Sequence, residues 1–96
     1  MYGTVGRAHI KPENRAKFIE VLRRQSTSDA PGFRDAYLMF PDNRENEVLI
    51  VAMFDDSDSY RRNANDPAQH QRYLEYRAML EDDPEWSDGE WIREGD

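Results

Sequence analysis

Three polar side chains near the end of the chain fall on one side of a predicted helix. His70, Tyr73 and Arg77 lie within one sector at about 100° per residue, alongside two leucines. Asn63 lies on a shorter helical segment just before them. An imidazole titrates near neutral pH and can act as a general base. A stripe of mixed polar and apolar residues of this kind could line a pocket.

The alternative interpretation of His70 is that it is a solvated surface side chain, as a single histidine on a helix usually is. No metal site is predicted, because the histidines and carboxylates lack the spacing of known ligand motifs. Two acidic runs, residues 55–58 and 81–85, also lack the spacing of a calcium loop. The sequence has no cysteine, which excludes disulfides and thiolate chemistry.

The first ten residues alternate with period two, as a half-buried strand does. Arg7 and His9 share one face of this strand, where we expect them to pair with Asp35 or Glu90 across strands. The opposite face carries small residues, which leave room for a ligand or for closely packed helices. These residues are Thr4, Gly6 and Ala8.

Length and charge narrow the class of protein. The 96 residues predict a single domain, 1–96. Twenty acidic residues against 13 basic ones give a net charge of −7, which repels phosphate backbones and anionic lipids. Nucleic acid and membrane surfaces are therefore not expected as partners. The chain shows no apolar run of membrane-spanning length and no signal peptide, so we expect a cytoplasmic protein.

Helix and strand signals follow one another in a simple order. After the first strand, Pro12 opens a helix that we expect to end near Ser28. The runs 32–40 and 47–54 flank the polar turn 41–46 and predict a hairpin. Two helical segments follow, one through Ala64 with N-cap candidates at residues 55–58, and one from Asp66 and Pro67 that ends at residues 81–84. A last strand is predicted around residues 90–92.

This order, βαββαβ, predicts an α+β, ferredoxin-like fold with an antiparallel sheet and helices on one face. The run 48–54 is apolar at every position, which is typical of a central strand buried on both faces. Because one domain of this size has a thin core, we expect a second copy of the chain to cover the other sheet face. The sequence thus predicts a homodimer through the sheet face.

The sequence resembles the antibiotic-biosynthesis monooxygenase-like (ABM) family of dimeric α+β barrel proteins over almost its whole length. The resemblance lies in KPENRAKFIEVLRR after the first strand, PGFRDAYLMF after the helix, EVLIVAMFDDSDSYRRNANDPAQHQRYLEY, and the terminal strand. It implies the dimeric barrel fold. Membership leaves the activity open, because the family includes quinone-forming monooxygenases, heme-degrading monooxygenases and members of unknown activity.

The quinone-forming relatives imply a cofactor-independent monooxygenase that oxidises an aromatic or phenolic small molecule. Such an enzyme needs a pocket, a base and partners for the phenolate oxygen. In this interpretation His70 is the base, Tyr73 and Asn63 supply hydrogen bonds, and Arg77 holds the developing phenolate. No cofactor and no metal are expected.

Two other functions remain open. In the first, the chain is a non-catalytic dimer that binds a small ligand or is only structural, and it fills the pocket space with Phe18, Phe54, Tyr60 and Leu80. In the second, it binds or degrades heme. The heme-degrading pattern of asparagine, tryptophan and histidine then falls at Gly6 or Arg7, at Asn63, and near Tyr73 or Leu74, with His70 one turn earlier.

Overall fold

A computed structural model describes residues 1–24 and 29–95. Its strands are β1 (Tyr2–His9), β2 (Phe33–Met39), β3 (Glu47–Phe54) and β4 (Glu85–Glu90). Its helices are α1 (Arg15–Arg24), α2 (Ser57–Ala64) and α3 (Pro67–Arg77), with a 3-10 turn at Pro12–Asn14 before α1. The predicted βαββαβ order is confirmed. The expected helix end near Ser28 lies outside the described residues.

The four strands form one antiparallel sheet in the order β2-β3-β1-β4. The prediction that β3 is central is therefore confirmed. Register places Thr4, Gly6 and Ala8 beside Ala52, Ile50 and Val48, and this face of the sheet is covered by the helices. The alternation of side chains puts Val5, Arg7 and His9 on the opposite face. We call that second surface the open face.

Polar side chains fix where α2 and α3 begin. The Asp56 carboxylate accepts a hydrogen bond from the Ser59 N–H at 2.8 Å, and the Asp56 N–H donates to the Ser59 hydroxyl, which completes a capping box. Asp66 caps α3 by accepting from the Ala68 N–H, with Pro67 in the first turn. Both predicted helix starts are confirmed.

The core lies between the helices and the sheet. Phe18 and Val21 of α1 and Tyr76 of α3 pack with Ala8 and Val48, and all five are buried. The rings of Phe18 and Tyr76 meet edge to face with centroids 5.9 Å apart. Apolar burial of this kind supplies most of the folding free energy of a small domain.

The C-terminal elements differ from the prediction. Helix α3 ends at Arg77 rather than at residues 81–84, and Ala78 forms its C-cap. Strand β4 covers Glu85–Glu90 rather than residues 90–92. Ile92 looked like a strand residue but is 80% exposed. Pairing with β1 makes β4 a strand, although it contains a single apolar side chain, Trp86.

The predicted partners of Arg7 and His9 were also wrong. Arg7 pairs with the buried Glu47 at 3.0 Å, and the His9 Nδ1 lies 2.8 Å from a carboxylate oxygen of Asp82. The main-chain N–H of His9 donates to the other oxygen of the same carboxylate at 2.9 Å. Glu90 is unable to serve, because its register opposite Tyr2 turns it to the helix-covered face. Asp82 thus ties the segment before β4 to the end of β1.

No helix among the described residues has the length and apolar character needed to cross a membrane.

Candidate functional site

A cavity of about 970 Å³ lies between the helices and the covered face of the sheet. Its volume is at the upper end of the range for small-molecule sites, about 300–1,000 Å³. Eight of the residues that line it are aromatic, and aromatic rings are typical of sites for flat apolar ligands. They are Phe33, Tyr37, Phe40, Phe54, Tyr60, Tyr73, Tyr76 and Trp86.

Three of the four predicted site residues come together in this cavity. Asn63 of α2 and His70 and Tyr73 of α3 all line it. Asn63 and Tyr73 are half-buried, whereas the His70 side chain is exposed. They belong to two separate helices, which the residues between Ala64 and Pro67 connect.

Arg77, the fourth predicted residue, is held elsewhere. Its Nε donates to a carboxylate oxygen of Asp83 at 2.7 Å, and its Nη1 donates to the Leu80 carbonyl at 3.3 Å. Among the described residues, those that line the cavity do not include Arg77. Because α3 ends at this residue, its side chain reaches over the following loop, and the structure gives it a role in fixing that loop.

The inward-facing sector of α3 is rotated from the predicted stripe. Tyr76 is the buried residue of the helix, whereas His70 and Leu74 are exposed. The ring of Tyr76 contacts that of Tyr73 with centroids 5.4 Å apart. Burial raises the pKa of the Tyr76 phenol above its usual value, so this phenol stays protonated. Tyr76 therefore joins the core to the cavity wall and is not a proton acceptor.

Gln69 adds a polar group that the sequence analysis missed. It lines the cavity one residue before His70. Its side-chain carbonyl oxygen is buried, and no described residue gives it a hydrogen bond. Buried acceptors are nearly always paired in folded proteins. An unpaired acceptor beside a cavity is suited to a ligand that donates a hydrogen bond.

Thr4, Tyr60 and Asp88 were also missed as a group. The Tyr60 hydroxyl donates to a carboxylate oxygen of Asp88 at 3.0 Å, and the Thr4 hydroxyl donates to the Ser87 carbonyl at 3.3 Å. All three side chains line the cavity. The sequence could have indicated this group only if β4 had been placed correctly. The register of β4 on β1 puts Asp88 directly opposite Thr4.

One of the small residues of β1, Gly6, leaves room for the ring of Trp86. A Cβ at this position would lie 2.5 Å from Cε3 and 2.9 Å from Cη2 of the Trp86 indole. Trp86 is the β4 residue opposite Gly6, and its ring crosses β1 where a side chain would otherwise stand. The space above Gly6 is therefore taken by an indole that forms part of the cavity wall.

Replacing Gly6 with Ala is expected to displace the Trp86 ring. We expect the tryptophan emission to shift to longer wavelength as the ring, already 41% exposed, enters water. Overpacking of this kind costs about 1–3 kcal/mol of stability. Gly89→Ala is the control, because a Cβ there meets no atom within 4 Å. An unchanged emission spectrum in Gly6→Ala would contradict the described position of the indole.

The residues do not fit the heme-degrading pattern. Of the two first-strand positions, Gly6 lies under the Trp86 ring and Arg7 points to the open face, where it pairs with Glu47. Asn63 stands at the tryptophan position. Tyr73 or Leu74 stands at the position of the histidine ligand, with His70 one turn earlier.

Comparison with known proteins agrees with this architecture. The sequence model of the family described as "Antibiotic biosynthesis monooxygenase" matches residues 1–82. None of the curated proteins compared with the chain matches it.

Several solved structures are similar in fold. SnoaB, a cofactor-independent oxygenase from Streptomyces nogalater, is 21% identical with a TM-score of 0.81, over 96% of this chain and 93% of SnoaB. A protein from Deinococcus radiodurans assigned to the same family is 16% identical with a TM-score of 0.81, over 97% and 94% of the two chains. A conserved protein from Methanosarcina mazei Go1 is 13% identical with a TM-score of 0.81, over 92% and 89%.

At these identities the structural likeness establishes the fold, and the family match covers most of the sequence. The ferredoxin-like fold of the chain is the fold of its monooxygenase-family neighbours. The chain belongs to the antibiotic biosynthesis monooxygenase family.

Proposed function

We propose that the chain is a cofactor-independent monooxygenase that oxidises an aromatic, phenolic small molecule. Family membership supports a monooxygenase activity in general. The observation that carries the finer proposal is the aromatic-lined cavity of about 970 Å³ in which Asn63, His70 and Tyr73 converge. SnoaB, similar in fold, is a cofactor-independent oxygenase, which also supports the proposal.

The proposed reaction needs little from the protein. His70 removes the phenol proton, and Asn63 and Tyr73 hydrogen-bond the resulting phenolate. The electron-rich phenolate then gives electrons to dioxygen directly. For a phenol with a free para C–H, one oxygen atom enters the ring as the quinone carbonyl and the other leaves as water. The substrate supplies all the electrons, so the balance requires no external reductant.

The test is oxygen uptake by the purified protein with a panel of anthrone-like and quinol substrates and no added cofactor. We expect uptake by the wild-type protein and a loss of about 10²-fold or more in His70→Ala, the typical contribution of a general base. His9→Ala is the matched control, because His9 lies on the open face and pairs with Asp82.

Equal rates in His70→Ala and wild type would remove His70 as the base. No uptake with any substrate would favour the non-catalytic module, in which the same cavity only binds a ligand. A parallel titration with hemin tests the heme alternative, because a stoichiometric shift of the Soret band that is lost in His70→Ala would support it.

The proposal includes a homodimer through the open face. Val5, Leu49, Val51 and Met53 are only half-buried there, and Tyr37 on β2 is 58% exposed. Register and alternation place these side chains next to one another on three adjacent strands. A contiguous apolar surface of this kind on one chain usually marks an interface. A second copy with the same apolar surface would cover it.

Sedimentation equilibrium tests the dimer. We expect wild-type protein at twice the 11.3 kDa of one chain and Val51→Arg at the mass of one chain, because a charge buried in an apolar interface is strongly unfavourable. Ala16→Arg, on the exposed side of α1, is the control and should remain dimeric. Wild-type protein at the mass of one chain would contradict this part of the proposal.

A further inference from the structure

The hydrogen-bonded group of Thr4, Tyr60 and Asp88 is drawn from three separate elements. β1 supplies Thr4, α2 supplies Tyr60 and β4 supplies Asp88, and all three line the cavity. Tyr60 and Asp88 are joined by a hydrogen bond of 3.0 Å. Asp88 lies on the helix-covered face of the sheet because it stands opposite Thr4. Asp88 is exposed, and its carboxylate stands beside the aromatic rings of the cavity wall.

The Tyr60 phenol is a fixed donor in this group. Burial, together with the hydrogen bond to Asp88, raises the pKa of Tyr60 to about 12, while a hydrogen bond with Thr4 acts in the opposite direction. The phenol is therefore protonated at neutral pH, and its O–H donates a hydrogen bond to Asp88. Its ring is held by Tyr2 and Phe54, with centroids 5.4 and 5.8 Å away. These contacts fix the direction in which Asp88 is held.

The Asp88 carboxylate can accept further hydrogen bonds besides the one from Tyr60. Two oxygens offer about four lone-pair positions, and Tyr60 uses one of them. Hydrogen bonds to an ionised acceptor are stronger than hydrogen bonds between neutral groups. A ligand that lies against these rings and carries a hydroxyl could donate a hydrogen bond to Asp88.

We propose that Asp88, positioned by Tyr60, is a recognition site for a hydroxyl group of the aromatic ligand. Asp88 contacts the ligand and sets specificity, and Tyr60 is a positioning residue. The site makes the cavity select hydroxylated polycyclic aromatics over the same ring systems without a hydroxyl. This inference rests on the proposed function, since it needs an aromatic ligand in the cavity.

The test compares the binding of two probes, 2,6-dihydroxyanthraquinone and unsubstituted anthraquinone, by quenching of tryptophan fluorescence. Trp86 lines the cavity, so a bound probe quenches its emission, whereas Trp91 is not among the described lining residues. We expect Asp88→Ala to weaken the dihydroxy probe about 10-fold or more, the usual worth of a hydrogen bond to a charged group, and to leave the unsubstituted probe unchanged. Tyr60→Phe should reduce the same preference by a smaller factor.

Asp55→Ala is the matched control. It also removes a hydrogen-bonded carboxylate, paired with Arg34 at 2.6 Å, and Asp55 is absent from the described lining of the cavity. We expect it to leave both affinities unchanged. Binding of the unsubstituted probe reports in each variant that the cavity is intact.

The inference is overturned if Asp88→Ala weakens both probes equally, since Asp88 would then be only structural, or if the preference for the dihydroxy probe is unchanged. If neither probe binds the wild-type protein, the aromatic-ligand site of the proposed function fails as well. The first two results leave the proposed function standing, so the two failures are distinguishable.

Discussion

Replacing Phe18 with Ala is expected to lower the free energy of unfolding by about 3–5 kcal/mol. Phe18 is 0% exposed and is among the largest fully buried side chains of the core. Its truncation removes the edge-to-face contact with Tyr76 and leaves a cavity under α1 and α3. Because Tyr76 also lines the ligand cavity, we expect aromatic probes to bind more weakly in the same variant.

Urea denaturation at fixed protein concentration measures this loss, since an associating protein has a concentration-dependent stability. Phe18→Leu is the conservative comparison and should cost less, because most of the buried volume is kept. A loss below about 1 kcal/mol in Phe18→Ala, the range of ordinary substitutions, would mean that Phe18 is not the centre of the core.

The second large effect is expected for Gly3→Ala. A Cβ at Gly3 would overlap the main-chain oxygen of Ala52 in β3 and would stand 3.1 Å from the Nε1 of Trp91. A main-chain oxygen in a central strand has no room to move unless β1 and β3 separate. We expect the free energy of unfolding to fall by about 1–3 kcal/mol, toward the upper end of this range for overpacking.

Gly89→Ala provides the control for the same chemical change. Gly89 is the β4 residue that pairs with Gly3, and a Cβ there meets no atom within 4 Å. We expect its free energy of unfolding to stay within about 0.5 kcal/mol of wild type. Equal losses in the two variants would show that the cost comes from glycine entropy in strands rather than from the close approach of β1 and β3.

Most of the fold could be predicted because its signals are local. Asp56 and the pair Asp66 and Pro67 mark helix starts through their own side chains, and the apolar run of β3 marks a central strand. Strand β4 was placed too late because its sequence, EWSDGE, has little intrinsic strand character. Its partner β1 makes it a strand, and this pairing joins residues 78 to 88 positions apart.

The candidate site could be predicted only in part. Asn63, His70 and Tyr73 line the cavity, and spacing within one helix accounts only for His70 and Tyr73. The sector of α3 that faces inward depends on how the helix packs against the sheet, so Arg77 was placed in the pocket and Gln69 was missed. The Tyr60 and Asp88 contact joins α2 to β4 across 28 positions and depends on the register of β4.

The ion pair between His9 and Asp82 makes the stability of the fold depend on pH. The hydrogen bond to Asp82 raises the pKa of His9 above 6.5, and the hydrogen bonds from His9 lower the pKa of Asp82 below 3.8. The His9 contribution to stability is complete below pH 6.5 and is lost as the pH rises through the raised pKa. The Asp82 contribution is complete above pH 3.8 and is lost as the pH falls through the lowered pKa.

Both partners are therefore charged in mildly acidic solution, and there the segment before β4 is held most firmly to β1. NMR titration of the His9 ring protons checks this, with the pKa expected to return toward 6.5 in Asp82→Asn. An unchanged His9 titration in that variant would contradict the ion pair. Acidity therefore acts on the junction between the end of β1 and the segment that leads into β4.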